Sequence, residues 1–147
     1  MSSISDQQYT HIGPQTRIRK LSIPKIYDIL VILSGPEPQK SLFEATILDI
    51  LECLSQYKIC IIGAGVQSQK RRVSNHIEIN NTLGTLEIES ALNSSKLLIS
   101  RSGYTTIMDI EKLDLLAIFI PTPGQTEQEY LAELHSKNAK YHFLNQN

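Results

Sequence analysis

Cysteine is scarce in this chain: Cys53 and Cys60 are the two among 147 residues. They form neither a CxxC pair nor a zinc spacing. Cys53 falls in an apolar-periodic stretch and Cys60 in an apolar run, so both are expected to be packed thiols. The histidines His11, His76, His135 and His142 are scattered without metal-ligand spacing, and no metal site is expected. An excess of charge is lacking too. The 14 basic and 15 acidic residues leave a formal net charge of −1, which argues against a nucleic-acid binder working through bulk charge. The one tight basic run, Lys70-Arg71-Arg72, is too short to alter that balance and reads as a solvated loop. No apolar run approaches the ~20 residues of a membrane-spanning helix. The N-terminal MSSISDQQYTHIG has no hydrophobic core of a secretory signal. A cytoplasmic protein is expected.

What is present suits one soluble domain. Hydrophobic residues make up 41% and charged residues 20%, and a chain of this size buries roughly 68–70% of its unfolded surface. Residues 1–25 are polar, contain Pro14 and Pro24, and lack sustained periodicity. They read as a leader or linker, within which HIGPQTRI (residues 11–18) could make a short ordered crossing. Residues 26–147 alternate between short branched runs and helical stripes. Strands are expected at Ile26–Leu33, Lys58–Ile62, His76–Asn80, Leu97–Ile99, Leu115–Ile120 and Tyr141–Leu144.

Helices are expected at Gln39–Gln56, Thr85–Asn93, Tyr104–Leu113 and Glu127–Ser136. The first carries its stripe on Phe43, Ile47, Ile50, Leu51 and Leu54, with Glu44 off it. The second carries Leu86, Ile88, Ala91 and Leu92, the third Ile107, Ile110 and Leu113, and the last Tyr130, Leu131 and Leu134. Such alternation predicts a Rossmann-like, doubly wound parallel α/β sheet with helices on both faces. Ligands then bind at the C-terminal edge of the strands, where the turns 34–38, 63–67, 102–106 and 121–128 converge.

The most informative stretch is LLISRSGYTTIMDI, residues 97–110. A buried strand stops at Ser100-Arg101-Ser102-Gly103, and a helix opens with Tyr104-Thr105-Thr106. The first helical turn presents unpaired N–H groups and the positive end of the helix dipole, which attract phosphate. Asp109 lies one turn deeper on the face of Thr105, placed to accept hydrogen bonds from a sugar diol. The same pattern also fits an ordinary junction capped by Thr105. A second stretch, IPTPGQTEQEYLAEL (residues 120–134), turns at Gly124 and sets Gln125, Gln128 and Glu129 at a helix start, where they suit sugar hydroxyls. Alone it is also a common solvated turn. A third candidate, GAGVQS (residues 63–68), nearly fits the dinucleotide fingerprint but is followed by QKRRVSN without an apolar stripe. An NAD-type oxidoreductase domain is the reading it would support, and the missing helix argues against it.

Taken together, strand–SRSGYTTIMDI and strand–IPTPGQTEQEYLA resemble the C-terminal domain of glycosyltransferase family 28. The resemblance spans roughly Ile26 to Leu144, with HIGPQTR similar to the segment that enters that domain. It implies the C-terminal, donor-binding half of a two-domain GT-B glycosyltransferase, in which the N-terminal half holds the acceptor. By position, the resemblance implies that Ser102, Gly103, Tyr104, Thr105 and Thr106 cradle a diphosphate. Asp109 stands where the family carries a glutamate on the ribose hydroxyls. Gln128 and Glu129, with Gly124 and Gln125, would meet the transferred sugar, and Arg101 would support the phosphate loop.

The first loop, with Ser34 and Gly35, reads SGPEPQ where the family is glycine-rich, and Ala132 stands in place of an asparagine. A catalytic base would lie near residues 80–86. The activity implied is inverting transfer of a hexose or N-acetylhexosamine from a UDP-sugar. No metal cofactor is expected, because no DxD-like acidic pair adjoins the phosphate loop. An acceptor domain needs ~100–200 residues. The chain is therefore expected to be either a fragment of a longer enzyme or a subunit working with an acceptor-binding partner. The second arrangement is similar to the soluble half of the two-subunit dolichol-linked N-acetylglucosamine transferase, whose partner is membrane-bound. The rival of another class is a nucleotide-binding regulatory module without transferase activity.

Overall fold

A computed structural model describes residues 16–65, 74–81 and 84–146. The elements run β1 (Tyr27–Ile32), α1 (Gln39–Glu52), β2 (Ile59–Ile62), β3 (Ile77–Asn80), α2 (Thr85–Asn93), β4 (Ser95–Ser100), α3 (Tyr104–Leu113), β5 (Leu116–Phe119), α4 (Thr126–Leu134) and β6 (Tyr141–Phe143). All pairings are parallel, in the order β3-β2-β1-β4-β5-β6. This is the Rossmann-like α/β architecture that strand–helix alternation predicts. The inner strands are nearly continuous apolar runs because both their faces are covered. Leu30, Val31, Ile59, Ile61, Leu98, Ala117 and Phe119 have no solvent exposure. The edges are short, four residues in β3 and three in β6, and place Glu78 and His142 toward solvent.

Two cores form. One face buries Ala91 and Leu92 of α2, Ile107 and Ile110 of α3, and Leu131 of α4 against Leu30, Leu98 and Phe119. The other packs Phe43, Ile47, Leu48 and Leu51 of α1 over Val31, Ile61 and Ile99. Order reverses between β1 and β4, which are paired from Tyr27↔Ser95 to Ile32↔Ser100. The turns leaving those two strands therefore flank the crevice where doubly wound sheets bind ligands.

Several expectations are corrected. The helix α1 ends at Glu52 rather than Gln56, and Cys53 at its end is exposed, not packed; Cys60 is buried. Ile50 is exposed, because an apolar trough runs beside α1 between Leu54 and the Leu97, Ile118 and Ile120 side of the sheet. Glu44, placed off the stripe, is only 2% exposed, and its carboxylate accepts the Gly65 amide at 3.0 Å. On α4 only Leu131 is buried; Tyr130 and Leu134 are about 60% exposed (62% and 59%). Leu86 likewise points outward. A nine-residue helix at a sheet margin meets the core along a single row, so flanking apolar side chains remain in water. Within GAGVQS, Gly63 adopts φ +84 at the end of β2, while its last three residues and the basic run lie outside the described residues.

Candidate functional site

The site grows from the exit of β4. Ser100, Arg101 and Ser102 are buried. The Arg101 guanidinium donates to the carbonyls of Ile120 (3.1 Å), Pro121 (3.3 Å) and Gln39 (3.3 Å), and stacks 4.2 Å above the Phe43 ring. Burial lowers its pKa from the ordinary arginine value. Arg101 thus ties the ends of β4 and β5 to the start of α1, facing inward as a brace. Ser102 Oγ donates to the Gln128 carbonyl at 3.0 Å. That bond joins the two stretches singled out in the sequence.

Beyond Ser102 the chain opens into α3. Gly103 is the N-cap, at φ −72 and ψ 147, and no side chain caps the helix. Nothing lies within 4 Å of a Cβ built on Gly103, so the space beside the N-cap is open. The first-turn N–H groups of Tyr104, Thr105 and Thr106 have no helical partners and carry the positive end of the helix dipole. The N-terminus of α1 differs. There Glu37 Oε2 accepts the Ser41 amide (3.2 Å) and hydroxyl (2.7 Å), so a carboxylate of the chain itself fills the first turn. Pro36 and Pro38 also lack N–H groups. Ser34 and Gly35, the latter at φ +105, border the crevice, but the first turn of α3, unlike that of α1, is not filled by a side chain of its own segment.

One turn inside α3, Asp109 is 9% exposed. It lines a cleft of about 640 Å³ with Thr105, Thr85, Ile88, Thr16, Arg17 and Ile18. Burial raises its pKa above the ordinary carboxylate value, against smaller opposing effects of the Thr16 hydroxyl, which donates to Oδ1, and of Lys112. Thr105 and Asp109 therefore face one cavity, as their four-residue spacing implies.

The loop after β5 is self-contained. Gly124 turns at φ +81. The Gln128 side-chain oxygen accepts the Thr122 amide at 2.7 Å, and its nitrogen donates to Gln125 Oε1 at 2.7 Å. One amide hydrogen of Gln128 remains for a ligand. Glu129 is exposed in the first turn of α4, its backbone amide bonded to the Gln125 carbonyl.

Thr16, Arg17, Ile18, Thr85 and Ile88 were absent from the sequence-derived site. HIGPQTRI stood out as a crossing, but nothing local says which helix it crosses. In the region expected to hold a base, Asn80 ends β3, Asn81 is exposed, and residues 82–83 lie outside the described residues. Among the described residues no three or more His, Cys, Asp or Glu gather as a metal site. No helix there is long and apolar enough to cross a membrane.

A doubly wound parallel sheet with an uncapped helix N-terminus at its switch point defines a Rossmann-like α/β domain able to seat an anion. More particularly, residues 29–147 match the glycosyltransferase family 28 C-terminal domain, and the chain belongs to that family. No curated protein sequence matches the chain. Membership assigns it a donor-binding role in glycosyl transfer.

Proposed function

We propose that this chain is the donor-binding half of an inverting, metal-independent glycosyltransferase that takes a hexose or N-acetylhexosamine from a UDP-sugar. The observation that carries the reading is the uncapped first turn of α3 at the switch point, with buried Asp109 one turn deeper in the same cleft. The diphosphate would sit on the N–H groups of Tyr104–Thr106, and the ribose diol on Asp109. Gln128 and Glu129 would face the sugar. An acceptor hydroxyl attacks the anomeric carbon as the bond to the diphosphate oxygen breaks, its electron pair passing to the diphosphate. Oriented N–H groups stabilise that developing charge without a metal. The acceptor belongs to another domain or subunit, membrane-associated on the cytoplasmic side, and the base that takes the hydroxyl proton lies near residues 80–86.

The test is thermal unfolding with UDP, UDP-sugars, other nucleotides and NAD, with and without chelator. A ligand at 100 times its Kd stabilises the fold by about 2.7 kcal/mol. The reading expects protection by UDP and UDP-sugars that chelator leaves intact. Protection by NAD alone, or by none of the panel, overturns it. Sugar transfer on adding the acceptor-binding partner separates a transferase from a regulatory module.

A further inference from the structure

The segment before β1 is held against the donor cleft by paired bonds. The Arg19 amide donates to Glu89 Oε2 at 2.8 Å, and its guanidinium forks onto the same carboxylate (Nη2–Oε1 2.8 Å). The Leu21 amide donates to Asn93 Oδ1 at 2.7 Å, and Asn93 Nδ2 returns a bond to the Arg19 carbonyl at 2.8 Å. Ile18 enters the core. These anchors present Thr16 to α3, where its hydroxyl accepts the Ile18 amide at 3.0 Å and donates to Asp109 Oδ1. A hydroxyl has one hydrogen, and the Ile18 amide on its oxygen directs that hydrogen to the carboxylate.

We propose that Thr16 is a positioning residue of the donor site: through the relay from the Ile18 amide it fixes the Asp109 carboxylate by one oxygen and leaves the other for a ligand hydroxyl. The proposal rests on Asp109 being the nucleoside contact. It gives the segment that enters the domain a direct hold on the donor site. Burial disfavours the Asp109 charge, and the Thr16 bond counters it. The other charged groups facing the carboxylate are Lys112 on α3 and Arg17 beside Thr16 on the cleft wall; Glu89 on α2 is paired with Arg19. None of them replaces a hydrogen bond to Oδ1.

The experiment compares the parent chain with Thr16→Val, which keeps the shape and loses the hydroxyl, and Thr16→Ser, which keeps the hydroxyl. The Asp109 carboxyl is titrated by NMR without ligand, and UDP affinity is measured by calorimetry across pH. In Thr16→Val the carboxyl protonates at higher pH than in the parent, and the acid-side fall of UDP affinity moves up with it. At neutral pH the affinity drops roughly threefold to tenfold, the worth of one oriented hydrogen bond. Thr16→Ser restores both. An unmoved Asp109 titration in Thr16→Val overturns the proposal, as does a loss that serine fails to rescue. If Asp109→Asn binds UDP as the parent does, the donor-site reading has failed instead, and the ligand-free titration still decides whether Thr16 holds the carboxylate.

Discussion

Replacing Asp109 by asparagine separates the cost of its burial from its use. The carboxylate is 9% exposed, and burial is the largest influence on its pKa, which lies above the ordinary value. Its ionised form is therefore disfavoured by folding. The stability it withholds is fully present at low pH, where both states are protonated. It is lost as pH rises from the ordinary carboxylate pKa through the raised one. A neutral amide suffers no such loss. Asp109→Asn is expected to unfold at the same or a higher temperature than the parent at neutral pH, and to converge with it at about pH 3.

Ligand affinity moves the other way. A hydrogen bond to a charged group contributes about 1.5–3 kcal/mol. With Thr16 donating to one side of the group, the carboxamide keeps a single acceptor, and whichever of its two atoms meets the ribose, the charge is gone. A loss of about 2–3 kcal/mol follows, roughly 30- to 140-fold in Kd at 1.4 kcal/mol per tenfold. Calorimetric titration with UDP at neutral pH measures it, beside thermal scans of the free proteins. A variant that is less stable than the parent at neutral pH, or that binds UDP as tightly, refutes the reasoning.

Other expectations follow from the packing. Arg101→Ala removes a donor from three carbonyls, of which those of Ile120 and Pro121 have no helical partner, each worth about 1–3 kcal/mol when unsatisfied. Urea unfolding should show a loss of about 3 kcal/mol once water fills part of the gap, and a loss below about 1 kcal/mol would contradict its bracing role. Leu92→Ala, at a fully buried position of α2, should cost about 2–5 kcal/mol, whereas Leu134→Ala on the exposed side of α4 should stay within about 0.5 kcal/mol. Equal losses would mean that α4 packs differently. Thiol titration of the native chain at about pH 8 should modify Cys53 rapidly and spare Cys60, whose pKa burial pushes up to about 11. Denaturant should expose the second thiol, and fast modification of both in the native state would argue against the buried placement.

Local chemistry made much of the fold legible. Runs such as IYDILVIL and KICII can hardly be anything but buried strands, and Thr85–Asn93 emerges with the bounds its stripe suggests. The Gly103 junction and the Thr105–Asp109 spacing also read correctly as geometry, since both depend on turn residues and the helical period alone. Side-chain direction was harder. Arg101 and Ser102 sit in a motif that suggests ligand contact, yet they face inward because β5, α1 and α4 supply carbonyls there. The SGPEPQ loop has a phosphate-loop position, yet Glu37 fills the first turn of α1. The exposed sides of α2 and α4 escaped notice because apolar spacing marks a helix face without saying how much of it the sheet can cover.

The sequence by itself determined the alternation of strands and helices, hence a parallel doubly wound sheet, and the polar junction that ends its fourth strand. Periodicity and turn propensity act over a few residues, so no tertiary knowledge was needed. Only the folded chain decided that Thr16 reaches Asp109 across 93 positions, that Arg19 meets Glu89 across 70, and that Ser102 bonds the Gln128 backbone. Those pairings exist because the crossovers lay α2, α3 and α4 side by side on one face of the sheet, and residue spacing along the chain carries no trace of that adjacency.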